Sequence, residues 1–168
     1  MDGRPEGEAT LVGGRTNVEK ASERELVVRR IFDAPARVVF EAWTKPELFM
    51  RWWASPSPVP LLSCEMDVRT GGKYRLEFGQ DPSNSRAFFG KYIGVIPHSR
   101  LVWTNEEDED GAVTTVTFEE KGGKTLLMFH ELYPSKEALD AAGTGAADAL
   151  RETFAQLDEL LVTLGPNA

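Results

Sequence analysis

The sequence is poor in the residues that most often build metal and redox sites. Among its 168 residues are one cysteine, Cys64, and two histidines, His98 and His130. A single cysteine excludes a disulfide within the chain and a thiolate-rich metal centre, and it is compatible with a reducing compartment. We interpret Cys64 as a small, buried side chain. Neither histidine has a histidine or cysteine neighbour at metal-ligand spacing, so we predict no metal site.

Excess positive charge and long apolar runs are missing as well. The 27 acidic residues outnumber the 19 basic ones, which gives a formal net charge of -8 and disfavours binding to nucleic acid or anionic membranes. No stretch approaches the roughly 20 apolar residues of a spanning helix, and residues 1–20 contain no apolar core of signal-peptide length. We therefore expect a cytoplasmic protein with no nucleic-acid and no membrane partner.

Nucleotide and hydrolase motifs are present only in fragments. Gly123-Lys124-Thr125 resembles the end of a phosphate-binding loop, but Phe118 stands where the earlier glycine is required, and the flanking segments are predicted strands. Gly143 and Gly145 lack the third glycine and the preceding strand of a dinucleotide fingerprint. A Gly-x-Ser-x-Gly elbow is absent. We expect no cofactor.

The composition is that of one folded domain. With 41% hydrophobic residues, a chain of this length buries one core without dividing into two. Residues 1–22 show neither helical nor strand periodicity, which predicts a disordered leader. The domain is therefore predicted to span residues 23–165.

The domain is predicted to open with a strand and two short helices. Residues 24–32 are apolar and β-branched with interspersed charges, which is typical of a strand. Pro35 suits the first turn of a helix that ends before Pro46. Thr44 and Glu47 have the spacing of a capping box, with Thr44 as the N-cap of the second helix.

Turn residues then divide an antiparallel meander of strands. The predicted turns are Gly71-Gly72, Asp81-Pro82-Ser83-Asn84, Pro97-His98-Ser99, Asp110-Gly111 and Gly122-Gly123. Alternation along the strands predicts which side chains face inward. These are Tyr74, Leu76 and Phe78, then Val116 and Phe118, and finally Leu126, Met128 and His130.

A long C-terminal helix is predicted after a break at residues 143–145, over about 146–164, with a stop at Gly165-Pro166. One apolar stripe runs along it: Leu150, Phe154, Leu157, Leu161 and Leu164. The stripe needs a partner, and the inner face of the sheet is the only surface large enough. The predicted fold class is therefore α+β, with a curved antiparallel sheet wrapped around this helix and a cavity between them.

A set of short motifs runs in order through residues 24–164. It comprises Phe32-Asp33-Ala34-Pro35, Val39 to Glu47, Arg51-Trp52-Trp53, Cys64 to Gly72, Gly90 with Tyr92, Pro97 to Trp103, Gly123-Lys124-Thr125, His130-Glu131 and Phe154 to Leu161. Together these motifs resemble the AHSA1-like (activator of Hsp90 ATPase homologue) family of the START-like, or SRPBCC, superfamily. The resemblance implies the helix-grip, polyketide-cyclase-like fold with an internal cavity. The separate Hsp90-binding domain of eukaryotic activators has no counterpart here, so we expect no direct stimulation of Hsp90.

The inner faces of the predicted elements supply the candidate lining of that cavity. The candidates are Trp52, Met66, Tyr74, Leu76, Phe78, Phe88, Tyr92, Trp103, Met128, His130, Leu150 and Phe154. Any one of these side chains would also fill an ordinary core. As a set, with tyrosine and tryptophan polar groups that need partners, they favour a pocket for a small hydrophobic molecule.

The sequence leaves two alternatives at the cavity undecided. The side chains of Trp52 and Trp53 diverge by about 100° on a helix, so one faces the core and the other serves as a hydrophobic lid or as a gate. His130 is a weak candidate for a general base, and a histidine hydrogen-bonded at a strand end is the alternative. Glu131 is predicted on the opposite face.

Three functions are compatible with these predictions. The preferred one is a noncatalytic protein that binds a small apolar or aromatic molecule, because no complete catalytic constellation is visible. An enzyme of the polyketide cyclase, aromatase or hydrolase type would use the same cavity, with His130 or a tyrosine moving a proton. A chaperone-associated stress-response module would use the acidic surface. An exposed tryptophan could also seed a weak homodimer.

Overall fold

Turn residues divide the chain into short antiparallel strands. The computed structural model describes residues 16–53, 61–81, 83–107 and 111–164, with the backbone alone at residues 80 and 142–149. Within these residues the strands are β1 (Thr16–Ser22), β2 (Glu25–Phe32), β3 (Leu61–Met66), β4 (Lys73–Asp81), β5 (Asn84–Ile96), β6 (Arg100–Thr104), β7 (Val113–Lys121) and β8 (Lys124–Leu132). The helices are α1 (Ala36–Thr44), α2 (Pro46–Trp52) and α3 (Lys136–Leu164).

These strands form an antiparallel sheet in the order β1-β2-β8-β7-β6-β5-β4-β3. Strands β3 to β8 follow one another in space as they do in sequence, which is the predicted meander, and β2 pairs with β8 from the other side. The sheet curves around α3, and the predicted α+β architecture is thereby confirmed. Among the described residues, no helix has both the length and the apolarity needed to cross a bilayer.

The core lies on the concave face of the sheet, because alternate residues of each strand point toward it. Tyr74 and Leu76 of β4 are buried, while the residues between and before them are exposed. Val116 and Phe118 of β7 are buried in the same way. The inward faces predicted for β4 and β7 are therefore confirmed.

Helix α3 lies across this face with its apolar stripe turned inward. The stripe is buried at Leu150, Phe154, Leu157 and Leu161 and partly buried at Leu164. Fully burying one leucine side chain is worth roughly 1.5–3 kcal/mol, so the stripe holds α3 against the sheet. At its edge, Asp158 of α3 forms an ion pair with Arg30 of β2, whose side chain is almost completely buried.

The predicted disordered leader is wrong for residues 16–22, which form β1. This strand pairs antiparallel with β2, and Arg30 donates a 2.6 Å hydrogen bond to Thr16 Oγ1. An edge strand is held mainly by backbone hydrogen bonds to one neighbour, so its sequence needs little apolar alternation. Residues 1–15, the rest of the predicted leader, lie outside the described residues.

The predicted capping box at Thr44 is also wrong. Thr44 belongs to the last turn of α1, where its Oγ1 donates to the carbonyl oxygen of Phe40 at 2.9 Å. Lys45 is the N-cap of α2 and makes no side-chain capping bond. Pro46 fixes this boundary, because a proline favours the first helical position, where its missing N–H costs no hydrogen bond.

The predicted helix break at residues 143–145 does not occur, because α3 is continuous. Each interior glycine costs about 1 kcal/mol relative to alanine, and burial of the apolar stripe outweighs that cost. The predicted stop at Gly165-Pro166 lies outside the described residues, as do Pro82 and Asp110 of two predicted turns.

Gly90 of β5 allows a close approach between strands. It pairs with Tyr74 in the β4–β5 register, and a Cβ atom on Gly90 would lie 2.1 Å from the carbonyl oxygen of Thr104. The same carbonyl oxygen accepts a 2.7 Å hydrogen bond from the Tyr74 hydroxyl. The missing side chain therefore lets the Tyr74 ring pass over β5 and bond to the end of β6.

We predict that Gly90→Ala lowers the free energy of unfolding by about 1–3 kcal/mol, as expected when a methyl group is forced into a filled space. Urea denaturation monitored by tryptophan fluorescence measures this change. Gly94→Ala on the same strand is the matched control, because its Cβ would meet Val102 Cγ2 at an ordinary 3.4 Å. Equal unfolding midpoints for the two variants would contradict the close approach at Gly90.

Candidate ligand-binding site

A row of four side chains crosses the inner face of the sheet from β8 to β5. Glu131 of β8 pairs with Thr114 of β7. Thr114 in turn pairs with Trp103 of β6, and Trp103 pairs with Tyr92 of β5. Paired residues point to the same face of a sheet whose strands are about 4.8 Å apart. The row thus places a carboxyl, a hydroxyl, an indole and a phenol side by side.

This row borders a cavity of about 730 Å³ between the sheet and the helices. Most of the wall is aromatic or aliphatic: Trp43, Phe49, Trp53, Met66, Tyr74, Leu76, Phe78, Phe88, Tyr92, Trp103, Phe129 and Leu150. The polar lining residues are Arg86, Asn105, Thr114, Glu131 and Thr153. A few polar groups on a large apolar wall are typical of sites for small organic molecules.

Eight of the twelve residues predicted from the sequence line this cavity. They are Met66, Tyr74, Leu76, Phe78, Phe88, Tyr92, Trp103 and Leu150. Trp52 and Phe154 are instead fully buried in the core, where the Phe154 ring packs on Trp43 with centroids 6.2 Å apart. Met128 and His130 lie on the other face of the sheet.

The adjacent tryptophans separate as helical geometry requires. Trp52 faces the core, and its Nε1 donates a 2.9 Å hydrogen bond to the carbonyl oxygen of Ala42. Trp53 is partly exposed, lines the cavity and stacks on Phe49 with ring centroids 5.0 Å apart. Of the two, Trp53 is therefore the one placed to act as a lid or gate.

The predicted inward face of β8 is wrong. Phe129 is buried and Glu131 lines the cavity, whereas Leu126, Met128 and His130 occupy the alternate positions. The segment from Leu126 to Phe129 is apolar on both faces, so its own pattern does not reveal which face turns inward. Pairing with β2 and β7 decides the matter.

His130 therefore has no access to the cavity, and the general-base role considered for it there is not supported. Its Nε2 lies 3.0 Å from Glu25 Oε2 of β2, on the outer face. This hydrogen bond, with a second from Ser22, lowers the pKa of the Glu25 carboxyl. The arrangement is that of a histidine hydrogen-bonded near a strand end.

A polar patch on the wall went largely unnoticed in the sequence. It consists of Tyr74, Asn105, Thr114 and Glu131, and we call it the Glu131 patch. Asn105 Nδ2 donates to Thr114 Oγ1 at 3.0 Å, and Thr114 Oγ1 donates to Glu131 Oε2 at 3.4 Å. Tyr133 donates to Glu131 Oε1 at 2.6 Å. The available signal was the alternation of β7, which places Thr114 on the inner face two residues before Val116.

Burial sets the protonation behaviour of the Glu131 patch. It raises the pKa of the Glu131 carboxyl, against the opposing effect of the hydrogen bonds from Tyr133 and Thr114. Burial also raises the pKa of the Tyr74 hydroxyl, and the nearby charge of Glu107 adds to that shift. Tyr74 therefore stays neutral at physiological pH, whereas the pKa of Glu131 is shifted upward from its ordinary acidic value.

Other reactive groups are few in the part of the chain that the structure describes. Burial raises the pKa of the Cys64 thiol to about 11, so the thiol is protonated at neutral pH. The indole nitrogen of Trp43 is buried and finds no hydrogen-bond partner among the described residues. Within the same residues, no three histidine, cysteine or acidic side chains are grouped as metal ligands.

A model of the family described as Activator of Hsp90 ATPase homolog 1-like protein matches residues 33–162. The chain belongs to this AHSA1-like family. The match runs from just before α1 nearly to the end of α3, and it includes every described residue that lines the cavity. No curated protein matches the sequence.

Solved structures show the same helix-grip fold. The AHSA1-like chain is similar to a protein of Rhodobacter sphaeroides with 25% identity and a TM-score of 0.81, over 90% of this chain and 100% of that one. It is also similar to protein NE0264 of Nitrosomonas europaea, with 23% identity and a TM-score of 0.75 over 84% and 96% of the chains. Protein Ms6760 of Mycobacterium smegmatis has 22% identity and a TM-score of 0.75 over 89% and 99%.

We predict that Glu131→Gln stabilises this AHSA1-like protein at neutral pH. A carboxyl whose pKa is raised in the folded state contributes its stability below the unfolded value, about 4.3, and loses it as the pH rises through the folded value. The gain in unfolding free energy of the variant should therefore be absent near the unfolded pKa of about 4.3 and should grow as the pH rises toward neutral. Urea denaturation of both proteins across this pH range measures it.

Glu25→Gln is the control, because its change in stability at neutral pH should have the opposite sign. Because the pKa of Glu25 is lowered in the folded state, its contribution is present above the unfolded pKa and is lost as the pH falls. This variant should be less stable than the parent at neutral pH. A Glu131→Gln difference that does not change with pH would show that burial does not raise the pKa of Glu131.

Proposed function

We propose that this AHSA1-like chain binds a small molecule with an aromatic or apolar skeleton between the sheet and α3. The observation that carries the proposal is an open volume of about 730 Å³ with a mainly aromatic wall. Protein interiors are close-packed and leave few voids larger than a water molecule. This volume lies within the range of small-molecule sites, roughly 300–1,000 Å³.

Ring contacts within the aromatic wall, and between the wall and the buried Trp52, hold the wall in place. The Trp43 ring centroid lies 4.9 Å from that of Trp52 and 6.0 Å from that of Trp103. Phe78 packs edge to face on Phe88 at 5.4 Å. Aromatic pairs of this kind contribute about 0.5–1.5 kcal/mol beyond the burial of their area. A wall that is already ordered loses little conformational entropy when a ligand binds, which favours affinity.

A proton-transfer enzyme of the cyclase or hydrolase type is the second candidate, and Glu131 is the observation that favours it. A carboxyl with a raised pKa on an apolar wall is typical of a general acid or base. His130, which faces away from the cavity, does not support this candidate. A substrate would have to bind in the same cavity before any proton moved, so binding is the primary proposal.

We predict that Thr153→Trp blocks binding, because Thr153 projects from α3 into the cavity and an indole would occupy the open volume. The probe is N-phenyl-1-naphthylamine, a neutral apolar fluorophore, titrated by isothermal calorimetry. The parent should show saturable binding at a single site, and the variant should lose at least about tenfold in affinity, which corresponds to about 1.4 kcal/mol.

Thr163→Trp is the matched control on the same helix, because Thr163 is exposed and does not line the cavity. It should bind the probe as the parent does. If both variants bind unchanged, the probe occupies another surface. If the parent binds neither this probe nor any compound of a broad ligand library in a thermal-shift screen, the proposed function is wrong.

A further inference from the structure

We infer that the Glu131 patch selects ligands that carry a protonated amine on an aromatic or apolar skeleton. The inference rests on the proposed function and specifies the chemistry of its ligand. It follows from which hydrogen-bonding groups of the patch are already used, from the charges near it, and from the aromatic rings beside it.

The amide of Asn105 has no hydrogen left to donate. Its Nδ2 bonds to the carbonyl oxygen of Ala112 at 2.6 Å and to Thr114 Oγ1 at 3.0 Å. A carbonyl oxygen can only accept, so the bond to Ala112 fixes which end of the amide is the NH₂ group. Asn105 Oδ1 therefore turns the other way, toward the Tyr74 hydroxyl at 3.3 Å.

The hydroxyl hydrogens around the patch are used as well. The Tyr74 hydroxyl donates to the carbonyl oxygen of Thr104 at 2.7 Å. The hydroxyls of Thr114 and Tyr133 each donate to one oxygen of Glu131. An ionised carboxylate has about four acceptor sites, and two of them are filled in this way. The patch consequently offers lone pairs, and its complement is a group that donates hydrogens.

Among the described residues, Glu131 also has no positively charged hydrogen-bond partner on its own side of the sheet. Its two hydrogen bonds come from neutral hydroxyls, and among the described residues His130, on the outer face, is the one basic group whose charge acts on it. A buried carboxylate without a counter-ion is costly. The carboxylates of Glu106 and Glu107 act on Tyr74 together with Glu131, so this end of the cavity has a negative potential that a cationic ligand group would neutralise.

Aromatic rings stand beside the carboxylate. Phe129 lies two residues before Glu131 on the same face of β8, and its ring centroid is 6.2 Å from Trp43 and 6.4 Å from Trp103. All three rings line the cavity. Indole and phenyl faces attract cations, most strongly when water is excluded. Aromatic rings with an acceptor-only carboxylate are the chemistry that recognises an alkylammonium group.

Arg86 stands at the other end of the cavity and leaves the patch negative. It is the only cationic side chain among the described lining residues, and its guanidinium lies 4.9 Å above the Phe88 ring. Arg86 is four residues before Gly90, the partner of Tyr74, which along a strand corresponds to about 13 Å. This separation along β5 keeps the guanidinium away from the end of the cavity where Tyr74 lies, so it is not a direct partner of the Glu131 patch.

Binding of an amine is linked to pH through Glu131, whose pKa burial raises. Below that pKa the carboxyl is protonated and the attraction is lost, so amine affinity falls with falling pH. The titratable or charged groups around Glu131 are Tyr133 beyond the end of β8, Tyr74 on β4, Glu106 and Glu107 after β6, Tyr92 on β5, Arg86 at the far end, and His130 with Glu25 on the outer face. The described α3 residues at the cavity, Leu150 and Thr153, are uncharged.

The test uses three probes with one skeleton. They are 2-(2-naphthyl)ethylamine, 2-(2-naphthyl)ethanol and the carboxylate anion of 2-naphthylacetic acid, which we call the acetate. Isothermal titration calorimetry at mildly alkaline pH, where an alkylamine is still protonated, should give the amine at least about tenfold higher affinity than the alcohol, with the acetate weakest. Glu131→Gln should abolish the advantage of the amine, because it lowers the affinity for the amine far more than the affinity for the alcohol. Glu25→Gln removes one acidic group from the outer face. It should change neither the affinity for the amine nor the affinity for the alcohol.

The outcomes separate the two proposals. If the alcohol binds and the amine has no advantage, or if Glu131→Gln leaves the advantage intact, the amine inference is overturned and the proposed function stands. If no probe binds the parent, the amine inference is overturned, and so is the proposal that the cavity binds naphthyl compounds. Should Glu131→Gln fail to fold, a pH titration of the parent decides. Amine affinity that falls with acidification while alcohol affinity stays constant supports the inference, and parallel behaviour of the two contradicts it.

Discussion

The register of β8 between β2 and β7 is the constraint on which the site depends. A shift of one residue in this pairing would turn every side chain of β8 to the opposite face. In the observed register Phe129 and Glu131 face the helices, while His130 bonds to Glu25 on the outside. The acidic group of the cavity is therefore selected by backbone hydrogen bonds to two other strands.

The same register explains how a carboxyl is tolerated among aromatic rings. Buried polar groups are costly unless they are hydrogen-bonded. Pairing with β7 brings Thr114 beside Glu131, and the Tyr133 hydroxyl donates a hydrogen bond to Glu131 Oε1. Asn105 and Tyr74 extend the network to β6 and β4, with Gly90 leaving room for the phenol. The polar groups thus satisfy one another and leave their unused lone pairs at the cavity.

Among the described residues, the helices pack on β2, β7 and β8, and α2 also contacts β3 at the far edge of the sheet. Trp43, Phe49 and Trp52 form a ring cluster on α1 and α2, and the stripe of α3 packs beside it. The described helical residues make no comparable contact with β4 or β5, and the cavity lies there. The overall charge of -8 adds a field that attracts cations and repels anions, and this field acts in the same sense as the Glu131 patch.

The sequence by itself determined the family, the meander, the inward faces of β4 and β7 and the stripe of α3, because each depends on local periodicity or on contiguous motifs. Of the eight lining residues that were predicted, Tyr74, Leu76, Phe78 and Leu150 followed from that periodicity. Tertiary structure decided the edge strand β1, the continuity of α3 and the inward face of β8. In each case the deciding contacts join residues far apart in sequence: β1 is stabilised by β2, α3 by the sheet, and Glu131 by Thr114. A strand with apolar residues on both faces has no phase of its own, so only its neighbours could place Glu131 inside and His130 outside.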